Sequence, residues 1–294
     1  MPHPIVLDTD IGTDVDDILA LSMILGSPEL DLTAVTTVYG DVRLRARMIA
    51  RTFAVAGAAR PAIVPGLGPT RSGRPVWWPG HEGRLMADLD RETIDDDLDA
   101  IDVLAAAGTV AAIGPLTNVA AMTEAGRRTV DRVVIMGGEF RDGRAEHNIV
   151  CDVDAADVVF RSGVPVTAVG LDQTERVRIT ERSLETIESA GPLGELLSGE
   201  VRQFWSFAQQ DYNVPHDPVA VLAIARPDLF TTVRGRIAVV RSGPDAGVTA
   251  FVPDPDGPHR VVTDLDTENV AAEIVSRIVA ASVRNLAPLE EEKQ

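Results

Sequence analysis

Short apolar runs that suit buried strands alternate with helix-like stretches through the first 170 residues of the chain. The strand-like runs lie at 4–7, 32–38, 62–64, 109–113, 133–136 and 164–170. The helix-like stretches between them lie at 18–25, 42–57, 102–107, 118–124 and 155–160. This alternation predicts an α/β fold in which a mostly parallel central sheet is flanked by helices on both faces.

Several segments interrupt this rhythm. Segment 65–83 is rich in Pro and Gly and is expected to form a long loop, and 137–151 has the composition of a polar insert between a strand and a helix. The remaining chain predicts extra helices after about residue 179, hairpin-like β segments at 234–263, an amphipathic helix at 268–286 and a disordered acidic tail at 287–294. Because no internal repeat and no linker interrupts the pattern, we expect a single domain over 1–294.

Charge excludes several classes of partner. The 294 residues include 27 basic and 45 acidic side chains, which gives a formal net charge of −18. A surface of that charge repels nucleic acid and anionic lipid, so we expect neither as a partner. The one arginine-rich stretch alternates with apolar residues, as on the outer face of a helix: Arg43, Arg45, Arg47 and Arg51.

Cysteine usage and hydropathy indicate the cellular compartment. The single cysteine, Cys151, excludes an internal disulfide and fits a reducing environment. No apolar window reaches the length of about 18 residues that a membrane span needs. The first ten residues carry no secretory signal pattern, so we expect a cytoplasmic protein.

The strongest chemical signal is an acidic run that follows the first predicted strand. Five carboxylates fall within residues 8–17: Asp8, Asp10, Asp14, Asp16 and Asp17. Each also suits a helix cap or a turn when taken alone. At an effective dielectric of about 20, two such charges 4 Å apart repel by roughly 4 kcal/mol. The run therefore predicts a cation with oxygen ligands, and its residue order does not fit an EF-hand.

A second signal is the sequence His216-Asp217-Pro218. Asp217 before a proline and an apolar run is expected to cap a helix, with Pro218 as the first helical residue. His216, beside a carboxylate at a helix entry, is a candidate general acid near neutral pH, although a lone histidine is more often structural.

Two weaker signals concern ligand contacts. Glu146 and Asn148 stand two residues apart in a Gly-flanked segment and could grip hydroxyl groups. A group of aromatic residues precedes His216, and core packing is the preferred interpretation because two of them keep helical spacing. The alternative is a wall against a planar ligand: Phe204, Trp205, Phe207 and Tyr212.

In this order and spacing, the motifs resemble those of the nucleoside hydrolase family, the calcium-dependent N-ribohydrolases of the inosine–uridine type. The resemblance covers about residues 4–285 and rests on the acidic run 8–17, Thr36-Thr37-Val38-Tyr39-Gly40-Asp41, Gly114-Pro115-Leu116-Thr117-Asn118, Met136-Gly137-Gly138 with Glu146-His147-Asn148, and His216-Asp217-Pro218. It implies an open, Rossmann-like α/β fold and hydrolysis of the N-glycosidic bond of a ribonucleoside or related N-riboside. It also implies a homodimer or homotetramer.

The resemblance assigns roles to individual residues. It implies Ca²⁺ as the cofactor, with ligands that come from both halves of the chain: Asp10, Asp17, Asp217 and the backbone carbonyl of Ile113. Asp10 would also be the general base and His216 the acid that protonates the leaving base. The resemblance implies that Asp16, Glu146 and Asn148 hold the ribose, and it places His81 in a loop beside the site. Three further residues are expected to contact the substrate on their own chemistry: Asp41, Trp205 and Tyr212.

This chain departs from the family pattern at three places. Two extra residues lengthen the acidic loop and add Asp14, and Asp41 replaces the family's asparagine. If Asp41 does not reach the cation as an added ligand, it should be protonated or paired with a base such as Arg45. The segment between Gly138 and Glu146 is shorter than the family's, which leaves the substrate and the grip on the 5′ end of the ribose open.

Two other functions stay open on the sequence. A magnesium phosphohydrolase would use Asp8 and Asp10 as its Asp-x-Asp pair, but such enzymes usually need a lysine that grips phosphate. The only lysine is Lys293, in the tail. A non-catalytic nucleoside or ribose binder is the second alternative, suggested by Asp41 and the shortened segment.

Overall fold

A nine-stranded sheet forms the centre of the computed structural model, which describes residues 1–126 and 130–283. Its strands are β1 (His3–Thr9), β2 (Leu30–Thr37), β3 (Ala62–Pro65), β4 (Thr109–Ala112), β5 (Arg132–Met136), β6 (Val166–Val169), β9 (Phe230–Val239), β10 (Thr249–Pro253) and β11 (His259–Leu265). Two short strands, β7 (Ile179–Thr180) and β8 (Tyr212–Asn213), pair separately. The predicted α/β class is confirmed.

The strand order places a crevice at one edge of the sheet. The order is β10-β9-β11-β6-β5-β4-β1-β2-β3, and all pairs from β11 to β3 are parallel. From β1 the chain winds outward through β2 to β3, whereas from β4 it winds the other way through β5 to β6. In open α/β sheets, ligands bind outside the carboxyl ends of the strands at this point of reversal. The sheet therefore places the expected site between the ends of β1 and β4.

Helices cover both faces of the sheet. They are α1 (Asp16–Leu25), α2 (Val42–Ala56), α3 (Ala100–Ala105), α4 (Thr117–Glu124), α5 (His147–Cys151), α6 (Val153–Arg161), α7 (Leu171–Thr174), α8 (Glu181–Glu188), α9 (Pro192–Ala208), α10 (His216–Ala225) and α11 (Thr267–Val283). Alternation along β1 assigns its side chains to two cores: Ile5 and Leu7 pack with α1, α2 and α8–α11, whereas Val6 packs with α3, α4 and α6.

One predicted segment differs from the structure, and the predicted hairpin region is confirmed. The insert 137–151 ends in a short helix, α5, because Glu146 accepts hydrogen bonds from the first free backbone N–H groups of that helix. The region 234–263 contributes the antiparallel pair of β9 with β10 and extends the main sheet through β11. The end of the predicted 268–286 helix and the tail 287–294 lie outside the described residues. Within residues 1–126 and 130–283, no helix is both long and apolar enough to cross a membrane.

Candidate metal centre and active site

Three buried carboxylates from distant parts of the sequence meet beside the crevice. Asp16 and Asp17 open helix α1, and Asp217 lies in the first turn of α10. One oxygen atom from each of the three lies within 4.8 Å of the others. The backbone N–H of Asp217 donates a hydrogen bond to Asp16 Oδ2 at 3.3 Å, which joins the starts of the two helices. The structure thus brings together residues that are about 200 positions apart.

Asp10 and Ile113 complete this group from the ends of the two central strands. Asp10 follows β1 and Ile113 follows β4, as the point of reversal requires. A Cβ atom on Gly114 would lie 2.6 Å from Asp10 Oδ1, so the absence of a side chain there makes room for the carboxylate. The carbonyl oxygen of Ile113 accepts a hydrogen bond from Asn148 Nδ2 at 2.9 Å.

These groups line one cavity of about 390 Å³. Eight of the twelve site residues expected from the sequence line it: Asp10, Asp16, Asp17, Ile113, Glu146, Asn148, His216 and Asp217. The cavity walls also include residues that the sequence did not single out as contacts, among them Thr13, Asp14, Trp77 and His147.

The electrostatics of the cavity favour a bound cation. Burial raises the pKa of Asp10, and it raises the pKa of Asp16, Asp17 and Asp217 well above the usual range, with mutual repulsion adding to the effect. Burial likewise raises the pKa of Asp14 to about 7. No lysine, arginine or histidine forms an ion pair with these five carboxylates in the part of the chain that the structure describes. The nearby Arg45 guanidinium acts in the opposite direction on the pKa of Asp10 and Asp17 but does not overcome burial. Because several carboxylates crowd together here, the cluster suits a hard divalent cation.

Arg45 holds the acidic loop in place, and the expectation that it lies on the outer face of a helix is wrong. Its side chain is fully buried. The guanidinium donates to the carbonyl oxygens of Tyr39 (2.7 Å), Asp10 and Ile11 (2.6 Å), and to Thr13 Oγ1 (3.1 Å). It therefore ties the loop after β1 to the end of β2 through backbone atoms. Spacing alone could not reveal this, because the inward face of α2 carries one arginine among apolar residues.

Glu146 and Asn148 are fixed by their own hydrogen bonds. The Glu146 carboxylate accepts from the backbone N–H groups of Asn148 (2.7 Å), Ile149 (3.1 Å) and Gly138 (3.1 Å). Asn148 Nδ2 also donates to the carbonyl oxygen of Met136 at 3.2 Å. Both side chains reach the cavity from a preorganised turn, so little ordering is needed when a ligand binds.

His216 opens helix α10 and faces the cavity. Its Nδ1 lies 2.7 Å from Thr174 Oγ1, and desolvation lowers the pKa of the imidazole to about 4, although the nearby Glu175 acts in the opposite direction. The helix begins at His216 rather than after Asp217, so the prediction that Asp217 caps it is wrong. Asp217 is already helical, and its carboxylate turns toward Asp16.

The structure does not bring two of the polar candidates, Asp41 and His81, to the cavity. The Asp41 carboxylate is exposed and caps α2 by accepting from the backbone N–H of Leu44 at 3.0 Å. It is therefore neither beside the carboxylate cluster nor paired with Arg45. His81 does not line the cavity, and its Nε2 lies 2.7 Å from the carbonyl oxygen of Thr13.

The two aromatic candidates also lie elsewhere. Trp205 is buried in the core, and Tyr212 packs under the guanidinium of Arg178, 4.1 Å from the ring centroid. Of the pair expected to be core, Phe204 is buried but Phe207 is 49% exposed. The aromatic residue that does reach the cavity is Trp77, which is 46% exposed. A tryptophan in a Pro- and Gly-rich loop was the available signal for it.

Asp8 lies within β1, and its carboxylate is bonded to neighbouring elements rather than lining the cavity. Its Oδ1 accepts from Thr36 Oγ1 at 2.6 Å and from Asn118 Nδ2 at 2.8 Å, and burial raises its pKa to about 7. These bonds tie β1 to β2 and to the start of α4. Asp8 does not line the cavity, so the two aspartates of the Asp-x-Asp pair do not act together there.

Comparisons with known proteins point to one family. Residues 5–272 match the family model described as inosine-uridine preferring nucleoside hydrolase. The chain is 33% identical to the non-specific ribonucleoside hydrolase RihC of Escherichia coli, over 91% of this chain and 95% of the relative. It is 30% identical to the pyrimidine-specific ribonucleoside hydrolase RihA of Photobacterium profundum, over 83% and 86%. The solved structure of a purine-preferring ribonucleoside hydrolase from Gardnerella vaginalis matches with a TM-score of 0.84 at 26% identity, over 96% and 99%.

The substitution Arg45→Lys tests the role of the buried guanidinium. A lysine side chain ends in a single nitrogen atom and cannot donate to both chain segments that Arg45 joins. Some buried carbonyl oxygens therefore lose their hydrogen-bond donors. We expect the free energy of unfolding, measured by urea denaturation, to fall by about 2–4 kcal/mol. The matched control is Arg43→Lys on the same helix, because Arg43 pairs with Asp96 at the exposed surface and should change stability by less than about 0.5 kcal/mol. Equal stability of the two variants would contradict the assignment.

Proposed function

The chain belongs to the inosine-uridine preferring nucleoside hydrolase family, and we propose that it hydrolyses the N-glycosidic bond of ribonucleosides, or of a related N-riboside, around a bound Ca²⁺. The products are ribose and the free base. The observation that carries this proposal is the convergence of Asp16, Asp17 and Asp217 in a buried cavity at the strand reversal. Carboxylates in this position can hold a cation and favour the positive charge that develops on a sugar ring when its glycosidic bond breaks.

The proposed Ca²⁺ ligands are Asp10, Asp17, Asp217 and the carbonyl of Ile113. All four line the same cavity, and all offer the oxygen donors that calcium prefers. When bound, the ion would neutralise part of the carboxylate charge and supply a fixed positive centre for a water molecule and the sugar hydroxyls. Lining atoms of Asp16, Glu146 and Asn148 are then available to hold the ribose.

Asp10 is the proposed general base. It stands at the end of β1, it is nearly fully buried, and burial raises the pKa of its carboxylate above the usual range. A carboxylate in that position accepts the proton of the attacking water more readily than a solvated one does. The surrounding carboxylates then favour the positive charge that develops on the sugar in an oxocarbenium-like transition state.

His216 and Trp77 are the proposed contacts of the leaving base. The Nδ1 of His216 is held 2.7 Å from the Thr174 hydroxyl, and when the imidazole is protonated its Nε2–H can pass a proton to a ring nitrogen of the base as the bond breaks, which leaves the imidazole neutral. Trp77 offers a flat, half-exposed ring at the cavity wall. Relatives described as non-specific, pyrimidine-specific and purine-preferring share the fold, so base preference in this chain is to be measured with a nucleoside panel.

The alternative functions have less support. A phosphohydrolase would need Asp8 in the cavity, and its carboxylate is bonded to Thr36 and Asn118 instead. The described residues contain no lysine to grip a phosphate. The replacement of the family's asparagine by Asp41 suggested a non-catalytic binder, but the Asp41 side chain caps a helix at the surface. We propose further that the whole chain acts as one domain in a cytoplasmic homodimer or homotetramer.

Removal of metal tests the proposed cofactor. We expect Ca²⁺ at about 100 times its Kd to stabilise the protein by about 2.7 kcal/mol, seen as a rise in Tm over chelator-treated protein. Asp217→Asn should weaken Ca²⁺ binding in calorimetry by at least about tenfold, because it removes a charged ligand. Asp41→Asn, the matched control, should bind as wild type does. A larger rise in Tm with Mg²⁺ than with Ca²⁺ would reject calcium as the resident ion.

The substitution Asp10→Asn tests the general base. We expect kcat for the best nucleoside in a panel of inosine, uridine, cytidine, adenosine and guanosine to fall by about 10²–10⁴-fold. Asp41→Asn should stay within about twofold, because Asn caps a helix as well as Asp does. Base release with Ca²⁺ saturating is the measurement. If the Asp10→Asn variant keeps more than a tenth of the wild-type kcat, Asp10 is not the general base.

The substitution His216→Gln tests protonation of the leaving group. We expect kcat for the best nucleoside to fall by about 10²-fold. With p-nitrophenyl riboside the loss should be only a few-fold, since nitrophenolate leaves without a proton. The ratio of the two losses is the readout, because a distorted cavity would lower both rates alike. Equal losses would assign His216 a purely structural role.

A further inference from the structure

A second cavity, the side cavity, opens next to the active site. It has a volume of about 630 Å³ and shares two walls with the catalytic cavity, Trp77 and His147, whose rings contact edge to face at 5.4 Å between centroids. Its other walls include Tyr39, Arg74 and Cys151. The two cavities are therefore adjacent across Trp77 and His147.

Charge is divided sharply between the two cavities. Six carboxylates line the catalytic cavity: Asp10, Asp14, Asp16, Asp17, Glu146 and Asp217. None lines the side cavity, whose one permanently charged wall residue is Arg74. Among the described residues, no carboxylate pairs with the Arg74 guanidinium, although other arginines of this acidic chain do form ion pairs, such as Arg71 with Glu124. An arginine left free at a cavity wall is a ready partner for an anion.

One wall residue of the side cavity has an unusual backbone conformation. Tyr39 has a φ of 67°, in the left-handed region that residues with a side chain disfavour. The conformation is fixed by Arg45, which donates to its carbonyl oxygen, and it buries the ring. The Tyr39 hydroxyl accepts from the backbone N–H of Trp77 at 2.7 Å and from Cys151 Sγ at 3.3 Å. A hydroxyl can also donate, and this one belongs to a wall residue of the side cavity.

We propose that the side cavity binds an anionic group of the substrate, with the Arg74 guanidinium as its main partner and the Tyr39 hydroxyl as a second donor. The proposal rests on the proposed N-ribohydrolase function and narrows its substrate class to N-ribosides that carry an anion at one end. The anion is repelled by the carboxylates around the sugar and attracted by Arg74, so it also orients the substrate. Two sources share this chemistry: a phosphate on the 5′ carbon of the ribose and a carboxylate on the base.

The experiment compares three substrates in the Ca²⁺-loaded protein: uridine, uridine 5′-monophosphate and orotidine, which carries a carboxylate on the base. Selectivity is kcat/KM for each anionic substrate divided by kcat/KM for uridine. In Arg74→Gln we expect this ratio to fall by about tenfold or more for the substrate whose anionic group binds in the side cavity. A fall of that size corresponds to the loss of a charge-assisted hydrogen bond. Arg74→Lys should recover part of it. The matched control is Arg84→Gln, which removes an exposed arginine that lines neither cavity and should leave the ratio unchanged.

The proposal is overturned if neither anionic compound is hydrolysed or competes with uridine, or if Arg74→Gln lowers all three kcat/KM values in proportion. If the wild-type protein cleaves no nucleoside at all, the proposed function fails, but the side cavity is still tested by calorimetry with ribose 5-phosphate and ribose. The proposal is supported if wild type binds ribose 5-phosphate more tightly than ribose and if Arg74→Gln abolishes this difference. Equal binding of the two sugars by wild type rejects a phosphate, and orotate binding that is insensitive to Arg74→Gln rejects a carboxylate.

Discussion

Repulsion among buried carboxylates is the constraint around which this structure is organised. Two charges 4 Å apart repel by roughly 4 kcal/mol at an effective dielectric of about 20. Helices α1 and α10 both begin at the cluster, but a favourable helix terminus contributes only about 0.3–1 kcal/mol per charge. Arg45 donates to backbone carbonyl oxygens rather than to the carboxylates themselves. These compensations are too small, so a divalent cation is the natural completion of the site.

The fold solves a positioning problem that follows from this constraint. The carboxylates must be held together before a cation arrives, and loops alone would let them separate. The structure anchors each one to a regular element: Asp10 to the end of β1, Asp16 and Asp17 to the start of α1, and Asp217 to the start of α10. The parallel sheet supplies the common edge, and Gly114 supplies the space. Base preference can then vary in the surrounding loops without disturbing the metal centre.

The parts that followed from the sequence were those with a local or repeated signal. The alternation of strands and helices along the sequence predicts the parallel sheet. Five motifs in the order typical of the family identify the family. Residues whose role depends on distant contacts were not predictable: Arg45 shares its spacing with exposed arginines, and Asp41 looks the same as a ligand or as a cap. The aromatic candidates in α9, Trp205 and Phe207, fail for a related reason, because helical spacing groups residues by face but does not say which face meets the core.

The assembly of the centre from both halves of the chain also has a consequence for biosynthesis. The acidic loop is synthesised early, whereas Asp217 is added only after about three quarters of the 294 residues have been made. Until then the nascent polypeptide presents an incomplete set of ligands, which cannot retain a cation as the finished centre can. Metal binding is therefore expected late in synthesis or after it. Chains that terminate before Asp217 lack one of the ligands and should not bind the metal as the full chain does.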